Sequence, residues 1–153
     1  MIVITRGFFM TSMNIQLQPA ASGFIIYKRE NNETFFLGLI ALPRFQTKNK
    51  GLYDIPKGRI DGRETPLQAA YRECWEEAGL KPKNIIAGPF KKDRMCLWVA
   101  EESQNPVLTP NPETGEMEHL GYKWLPPEEM ISSCLDYLRP FVKWAHEEIC
   151  KRH

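Results

Sequence analysis

Cysteine is sparse in this chain, and nothing in its spacing pairs it. The four present, Cys74, Cys96, Cys134 and Cys150, include no Cys-x-x-Cys and no regular framework. That argues against a disulfide scaffold or a zinc ribbon and favours free thiols in a reducing compartment, the cytoplasm. Long hydrophobic runs are missing too. The N-terminal MIVITRGFFM is apolar but far shorter than the ~20 residues a membrane helix needs. It also lacks the apolar core and small-residue cleavage site of a secretory signal. No membrane partner is expected, and a strand is the reading for this segment. Met13 is an alternative start, which would make residues 1–12 an N-terminal extension. There is no internal repeat, low-complexity tract or linker. Nor is there an excess of charge: 20 basic against 19 acidic residues leave +1. This argues against bulk electrostatic binding to DNA, while a local basic patch stays open. What remains is 153 residues, 42% hydrophobic and 25% charged, the profile of a single domain over 1–153 with enough chain for a full core. Monomer and homodimer are both compatible with it.

What is present is concentrated between Gly58 and Leu80, in GRIDGRETPLQAAYRECWEEAGL. Glu73, Glu76 and Glu77 stand at i, i+3 and i+4, so on a helix they share one face, within about a quarter of its circumference. Like charges so spaced destabilise a helix. A divalent cation would turn that repulsion into a site, since carboxylate oxygens suit Mg²⁺ and Mn²⁺, and Mg²⁺ shares its shell with waters and phosphates. The helix is well specified: Thr65 is an N-cap, Pro66 suits the first position, and Gln68 completes a capping box. Gly79 can supply a left-handed terminator. Leu67, Ala70, Tyr71, Cys74 and Ala78 form a separate apolar stripe for burial against a sheet. Pro56–Arg63, with its two glycines, is expected to be a loop. The bland alternative is a solvated Arg/Glu-rich surface helix, which accounts for neither the loop glycines nor the spacing.

Elsewhere the pattern mixes strands and helices. Ala21–Lys28 and Thr34–Leu42 read as strands joined by a turn at Arg29-Glu30-Asn31-Asn32. Leu52–Ile55, Ile85–Phe90, Met95–Glu101 and His119–Leu125 read as further strands. Pro126-Pro127 opens a short helix, and Pro140 a last one with Phe141, Trp144, Ala145 and Ile149 at helical spacing.

The run Gly58, Glu64, then Arg72-Glu73-Cys74-Trp75-Glu76-Glu77-Ala78-Gly79-Leu80 resembles the box of the Nudix hydrolases. It matches that pattern throughout, with Cys74, a small buried hydrophobe, where a bulky aliphatic is usual. The resemblance implies an α/β fold, an α/β/α sandwich with a central mixed β-sheet. It also implies hydrolysis of a nucleoside diphosphate linked to another moiety, by water activated on Mg²⁺ or Mn²⁺. Glu76 and Glu77 would be the main metal ligands and catalytic carboxylates, helped by Glu73 and the backbone carbonyl of Gly58. Glu64 and Arg72 would be a structural ion pair bracing the loop on the helix.

Glu118-His119-Leu120-Gly121-Tyr122-Lys123-Trp124-Leu125 is similar to a late motif of the asymmetrical diadenosine tetraphosphate hydrolases. That makes Glu118 the candidate for the general base or an extra metal ligand. Glu101, Glu102, Glu113 and Glu116 are the competing carboxylates, and His119 is read as structural. Arg44, Lys48, Lys50, Lys57 and Arg59 surround the box and could hold a polyphosphate, with Arg44, Lys50 and Lys57 put forward for substrate. Tyr122 could stack on a base, as could Phe45 or Tyr53. The expected substrate is a dinucleoside polyphosphate such as diadenosine tetraphosphate. Gly88–Met95 is shorter than the substrate-holding hairpin of those enzymes. ADP-ribose, flavin dinucleotide and the 5′ end of RNA are the alternatives, and a non-catalytic nucleotide sensor is the alternative of another class.

Overall fold

Two asparagines make the first turn. In the computed structural model, which describes residues 18–153, Asn31 and Asn32 have φ of 52° and 65°, the left-handed pair that suits a two-residue hairpin. They join β1 (Ala21–Glu30) to β2 (Glu33–Ala41) with Glu30 opposite Glu33. The strand proposed for the first ten residues, and the choice between Met1 and Met13, lie outside the described residues.

Among the described residues, seven strands form one mixed sheet: β1, β2, β3 (Tyr53–Asp54), β4 (Lys57–Arg59), β5 (Asn84–Lys92), β6 (Met95–Glu101) and β7 (His119–Leu125). Its main path runs β3-β2-β1-β6-β5, with β4 on β1 and β7 on β2. Strands β1 and β6 pair in parallel, while the other strand pairs are antiparallel. Alternation along the strands divides the core. Phe24, Ile26, Leu37, Leu39, Trp98 and Ala100 face the box helix α2 (Pro66–Ala78). Ile25, Tyr27, Phe36, Leu97 and Val99 face α3 (Pro127–Ser133) and α4 (Arg139–Arg152). The result is the expected α/β/α sandwich, because a period of two gives the central strands β1, β2 and β6 two apolar faces to cover.

The box helix is capped as its sequence requires. The Thr65 hydroxyl accepts from the Gln68 N–H at 3.1 Å, and the Gln68 side chain accepts from the Thr65 N–H at 2.9 Å. Gly79 ends it at φ 64°, its N–H donating to the Trp75 carbonyl at 2.9 Å. Ala70, Cys74 and Ala78 are fully buried, and the Ser22 hydroxyl donates to the Pro66 carbonyl at 2.6 Å, tying β1 to the helix start.

Two local expectations are corrected. Lys57–Arg59 is strand β4, where a loop was expected, paired with Ala21–Gly23. A Cβ at Gly23 would collide with the Pro56 carbonyl and with Lys57, so the close pairing depends on that glycine. Pro43–Asn49 forms an additional short helix, α1, and Lys50 is its left-handed C-cap. No described helix is long and apolar enough to cross a membrane.

Candidate active site

Arg72 gathers the acidic residues of the box. Its Nε and Nη2 each donate to a Glu64 oxygen at 2.8 Å, the parallel two-bond geometry favoured between guanidinium and carboxylate. Nη2 also donates to the Arg59 carbonyl at 2.8 Å, fastening β4 to the helix. Nη1 reaches Glu73 at 2.9 Å and Glu76 at 3.2 Å. The hydrogen bond from Arg72 holds the Glu64 carboxyl below its ordinary range. Burial pushes Glu73 the other way, upward, with Arg72 opposing it. Gly58 is packed so closely that a Cβ there would occupy the space of the Glu73 carboxylate.

A second, more buried cluster lies behind the first. Glu77 turns inward and accepts from the Lys57 N–H at 2.9 Å. Burial, and next the Asp54 charge, push its carboxyl well above the usual range. The Lys57 ammonium sits 2.9 Å from Asp54 and 5.3 Å from the centre of the Tyr137 ring. His119 Nε2 lies 3.1 Å from the other Asp54 oxygen. Burial alone would raise Asp54, but Lys57 and His119 outweigh it and hold the carboxyl at about 2.

Two clefts open from these clusters. One, of about 460 Å³, is acidic and bordered by Gly58, Arg59, Arg72, Glu73, Glu76 and Glu113. The other, of about 470 Å³, is mixed, lined by Leu42, Phe45, Met117, Leu135 and Tyr137 together with Arg44 and Lys48. Lys57, Glu77 and Glu118 line both. Glu118 is fixed by Asn111, whose amide donates to it at 2.8 Å. The structure therefore brings together Gly58, Glu73, Glu76, Glu77, Glu118, Lys57 and Arg44. It does not bring Lys50 or Tyr122 to the clefts. Lys50 is exposed at the end of α1, and Tyr122 is 37% exposed on β7. Of the competing carboxylates, Glu116 borders the mixed cleft, while Glu101 faces His153 at 3.9 Å. Tyr53 is buried in the core.

A family model described as the NUDIX domain matches residues 17–148. The chain belongs to the Nudix hydrolase family. As such it is a metal-dependent enzyme acting on pyrophosphate bonds. An RNA pyrophosphohydrolase of Bartonella tribocorum is 24% identical over 138 residues, covering 75% of this chain and 80% of that protein. Nudix hydrolase 25 of Arabidopsis thaliana is 27% identical over 128 residues, covering 66% and 70%. Among solved structures, an Ap4A hydrolase of C. elegans in a binary complex superposes with a TM-score of 0.64. It is 21% identical and covers 86% of this chain and 97% of that one, a likeness of fold.

Among the described residues, no three His, Cys, Asp or Glu side chains form a ready metal cage. The reason is visible in the Nudix box: Arg72 occupies Glu73 and Glu76, and Glu77 is taken up by a backbone N–H. The donor chemistry nevertheless fits a divalent cation. Four carboxylates, Glu73, Glu76, Glu77 and Glu118, rim one open cleft, and Mg²⁺ is held by few protein carboxylates together with waters and phosphates rather than by a closed cage. Sequence reasoning missed Asp54 altogether. The one available signal was a carboxylate three residues before Lys57, in an otherwise apolar strand.

Proposed function

We propose that this Nudix hydrolase cleaves a polyphosphate chain joining a nucleoside to a second moiety, with a dinucleoside polyphosphate such as diadenosine tetraphosphate as the leading substrate. The observation that carries this reading is the junction of the two clefts at Lys57, Glu77 and Glu118. The mixed cleft has the size and lining of a small-molecule site, with Phe45 against a nucleobase and Arg44 and Lys48 for phosphate. Its neighbour is acidic and suits the cation that phosphate brings. A ligand lying across both places its phosphates beside Glu77 and Glu118.

Glu73, Glu76, Glu77, Glu118 and the Gly58 carbonyl would hold Mg²⁺ or Mn²⁺. Such an ion, when bound, neutralises phosphate oxygens and lowers the pKa of water. Glu118, exposed and tethered by Asn111, is the group placed to take a proton from the attacking water. Glu76 and Glu77 fix the negative edge of the site. Lys57 is paired with Asp54 and lines both clefts, where it offers the substrate a fixed positive charge. Glu64 and Arg72 brace the loop against the helix. The buried Cys74, Cys96 and Cys134, all free thiols, fit the cytoplasm.

A second reading, removal of pyrophosphate from the 5′ end of RNA, is favoured by the curated relatives of that name. The test is a panel of diadenosine tetraphosphate, ADP-ribose, flavin dinucleotide and 5′-triphosphorylated RNA, each with Mg²⁺ or Mn²⁺, with products separated by chromatography. Preferred cleavage of the dinucleotide supports the leading reading. Preferred cleavage of RNA replaces it with the second, and no cleavage of any of them defeats both.

A further inference from the structure

The outer side of the box helix carries a hollow that the proposed chemistry leaves unused. It measures about 480 Å³ and is walled by Trp75, Gly79, Val107, Pro110 and Pro112. Trp75 is 53% exposed and Val107 63%, whereas Trp98 is buried against Phe24. The wall is fixed in advance. The Val107 N–H donates to the Ala78 carbonyl at 2.8 Å, and a Cβ on Gly79 would meet the Val107 carbonyl at 2.8 Å. The loop is therefore seated against the end of the helix at a position where only glycine allows so close an approach.

Two observations say what the hollow suits. It adjoins the acidic cleft, since Glu76 and Pro112 border both. A molecule extended over the carboxylates and past Glu76 and Pro112 would reach it. The Lys81 ammonium also lies over the Trp75 ring, 4.8 Å from its centre, a cation on the indole from a side chain that does not line the hollow. A flat apolar platform, a nearby cation and an adjoining phosphate site form a stacking arrangement of the kind that holds bases without reading their edges. We infer that the Trp75 hollow is a second base subsite, binding the nucleobase beyond the scissile bond by stacking on the indole. This rests on the reading above that the substrate bears a second nucleoside.

The experiment compares diadenosine tetraphosphate with adenosine tetraphosphate, which has the same phosphate chain and one base, on wild type, Trp75→Ala and Trp75→Phe in Mg²⁺. Losing one base stack lowers the two-base to one-base ratio of kcat/KM by about 5- to 150-fold in Trp75→Ala. Trp75→Phe keeps most of that ratio. Tryptophan emission gives a second readout with a methylene-bridged, uncleavable diadenosine tetraphosphate: wild type is quenched strongly and Trp75→Phe weakly. If Trp75→Ala does not fold, the quenching difference decides. An unchanged ratio, or equal quenching of wild type and Trp75→Phe, overturns the subsite. So does sedimentation showing that Trp75→Ala converts a dimer to a monomer, which would make the hollow a subunit contact. Cleavage of neither nucleotide by wild type defeats the parent reading instead, and the quenching experiment still judges the hollow.

Discussion

The two charge clusters of the site are built on opposite terms. Around Arg72, one guanidinium serves several carboxylates, and its side chain is 28% exposed. Around Asp54, one carboxylate is matched by one ammonium and one imidazole, with the Asp54 and Lys57 side chains each only 15% exposed. The first is under-compensated, water-accessible and able to exchange partners. The second is balanced, with Asp54, Lys57 and His119 meeting at one wall of the mixed cleft. A site that must admit a cation needs the former, because its carboxylates have to be released from an internal partner at modest cost. The wall beside it needs the latter, because a buried charge without its partner is expensive. Substitutions should separate the two: carboxylates that face the acidic cleft should fail in activity with the fold kept, and the Asp54–Lys57 pair should fail in stability.

The largest effect is expected at Glu118. Glu118→Gln keeps the shape and the Asn111 contact while removing the basic oxygen. Positioned proton transfer contributes ~10²–10⁴-fold, so kcat should fall in that range, with a change in the acid limb of the pH–rate profile. Glu113→Gln, Glu116→Gln, Glu101→Gln and Glu102→Gln are the comparisons. Should one of these four be inactive while Glu118→Gln turns over normally, the base lies elsewhere.

Glu77→Gln follows, with a fall of roughly 10³-fold, since metal charge stabilisation is worth several kcal/mol. The amide oxygen of glutamine can still accept from the Lys57 N–H, so the melting temperature should hold. Titration calorimetry with Mn²⁺ should show weakened binding. Undiminished hydrolysis, by this variant or by wild type in EDTA, would falsify the assignment of the metal to this helix.

The closed cluster is tested at Asp54. Asp54→Asn leaves the Lys57 ammonium without its charge partner and should cost about 3–5 kcal/mol of stability, read by urea denaturation. Asp54→Asn combined with Lys57→Met should cost less than the two single changes added, which is the mark of a direct pair. The pH dependence has a definite sign. The folded carboxyl sits at about 2, below an unfolded value near ~3.9. Its stabilisation is therefore fully present above ~4 and is lost as pH falls toward 2. The gap between wild type and Asp54→Asn should narrow over that window, and a gap independent of pH between 2 and 5 would detach Asp54 from the stability of the cluster.

The same contrast explains what could be read from the chain. The box carboxylates are written locally: Glu73 and Glu76 of the open cluster share one helix face with the inward-turning Glu77 by spacing alone, and Thr65, Pro66, Gln68 and Gly79 mark the helix ends. The central strands were legible because each is a short, continuous apolar run bounded by polar or turn residues. Helix α1 was not, because it buries no residue and so has no periodic face. Strand β4 was hidden because Gly58 meets Ser22, which is distant in the chain. The closed cluster was invisible for the same reason. Asp54 and His119 are 65 residues apart, and no local pattern announces that they will share a hydrogen bond. Trp75 was passed over as an ordinary box position, since its exposure depends on where the loop before β7 runs.

The smallest effect should come from Arg72→Lys, which tests whether the open cluster is as adaptable as its geometry suggests. Lysine keeps the charge but loses the fork that engages both Glu64 oxygens, the Arg59 carbonyl, Glu73 and Glu76 together. A single ammonium can satisfy Glu64 or the box carboxylates, but it cannot span them all. Because the group is partly open to water, which screens its charge, the expected cost is about 1 kcal/mol, or ~2–4 °C in melting temperature for a domain of this size. Activity should fall with it, because β4 carries Gly58 and loses its tie to the helix, and apparent Mg²⁺ affinity should weaken by the same route. The three readouts are expected to move together as salt is added, since screening acts on a half-exposed network more than on the Asp54 pair. A large loss of kcat with melting temperature and metal affinity unchanged would instead put Arg72 in contact with the reacting phosphate.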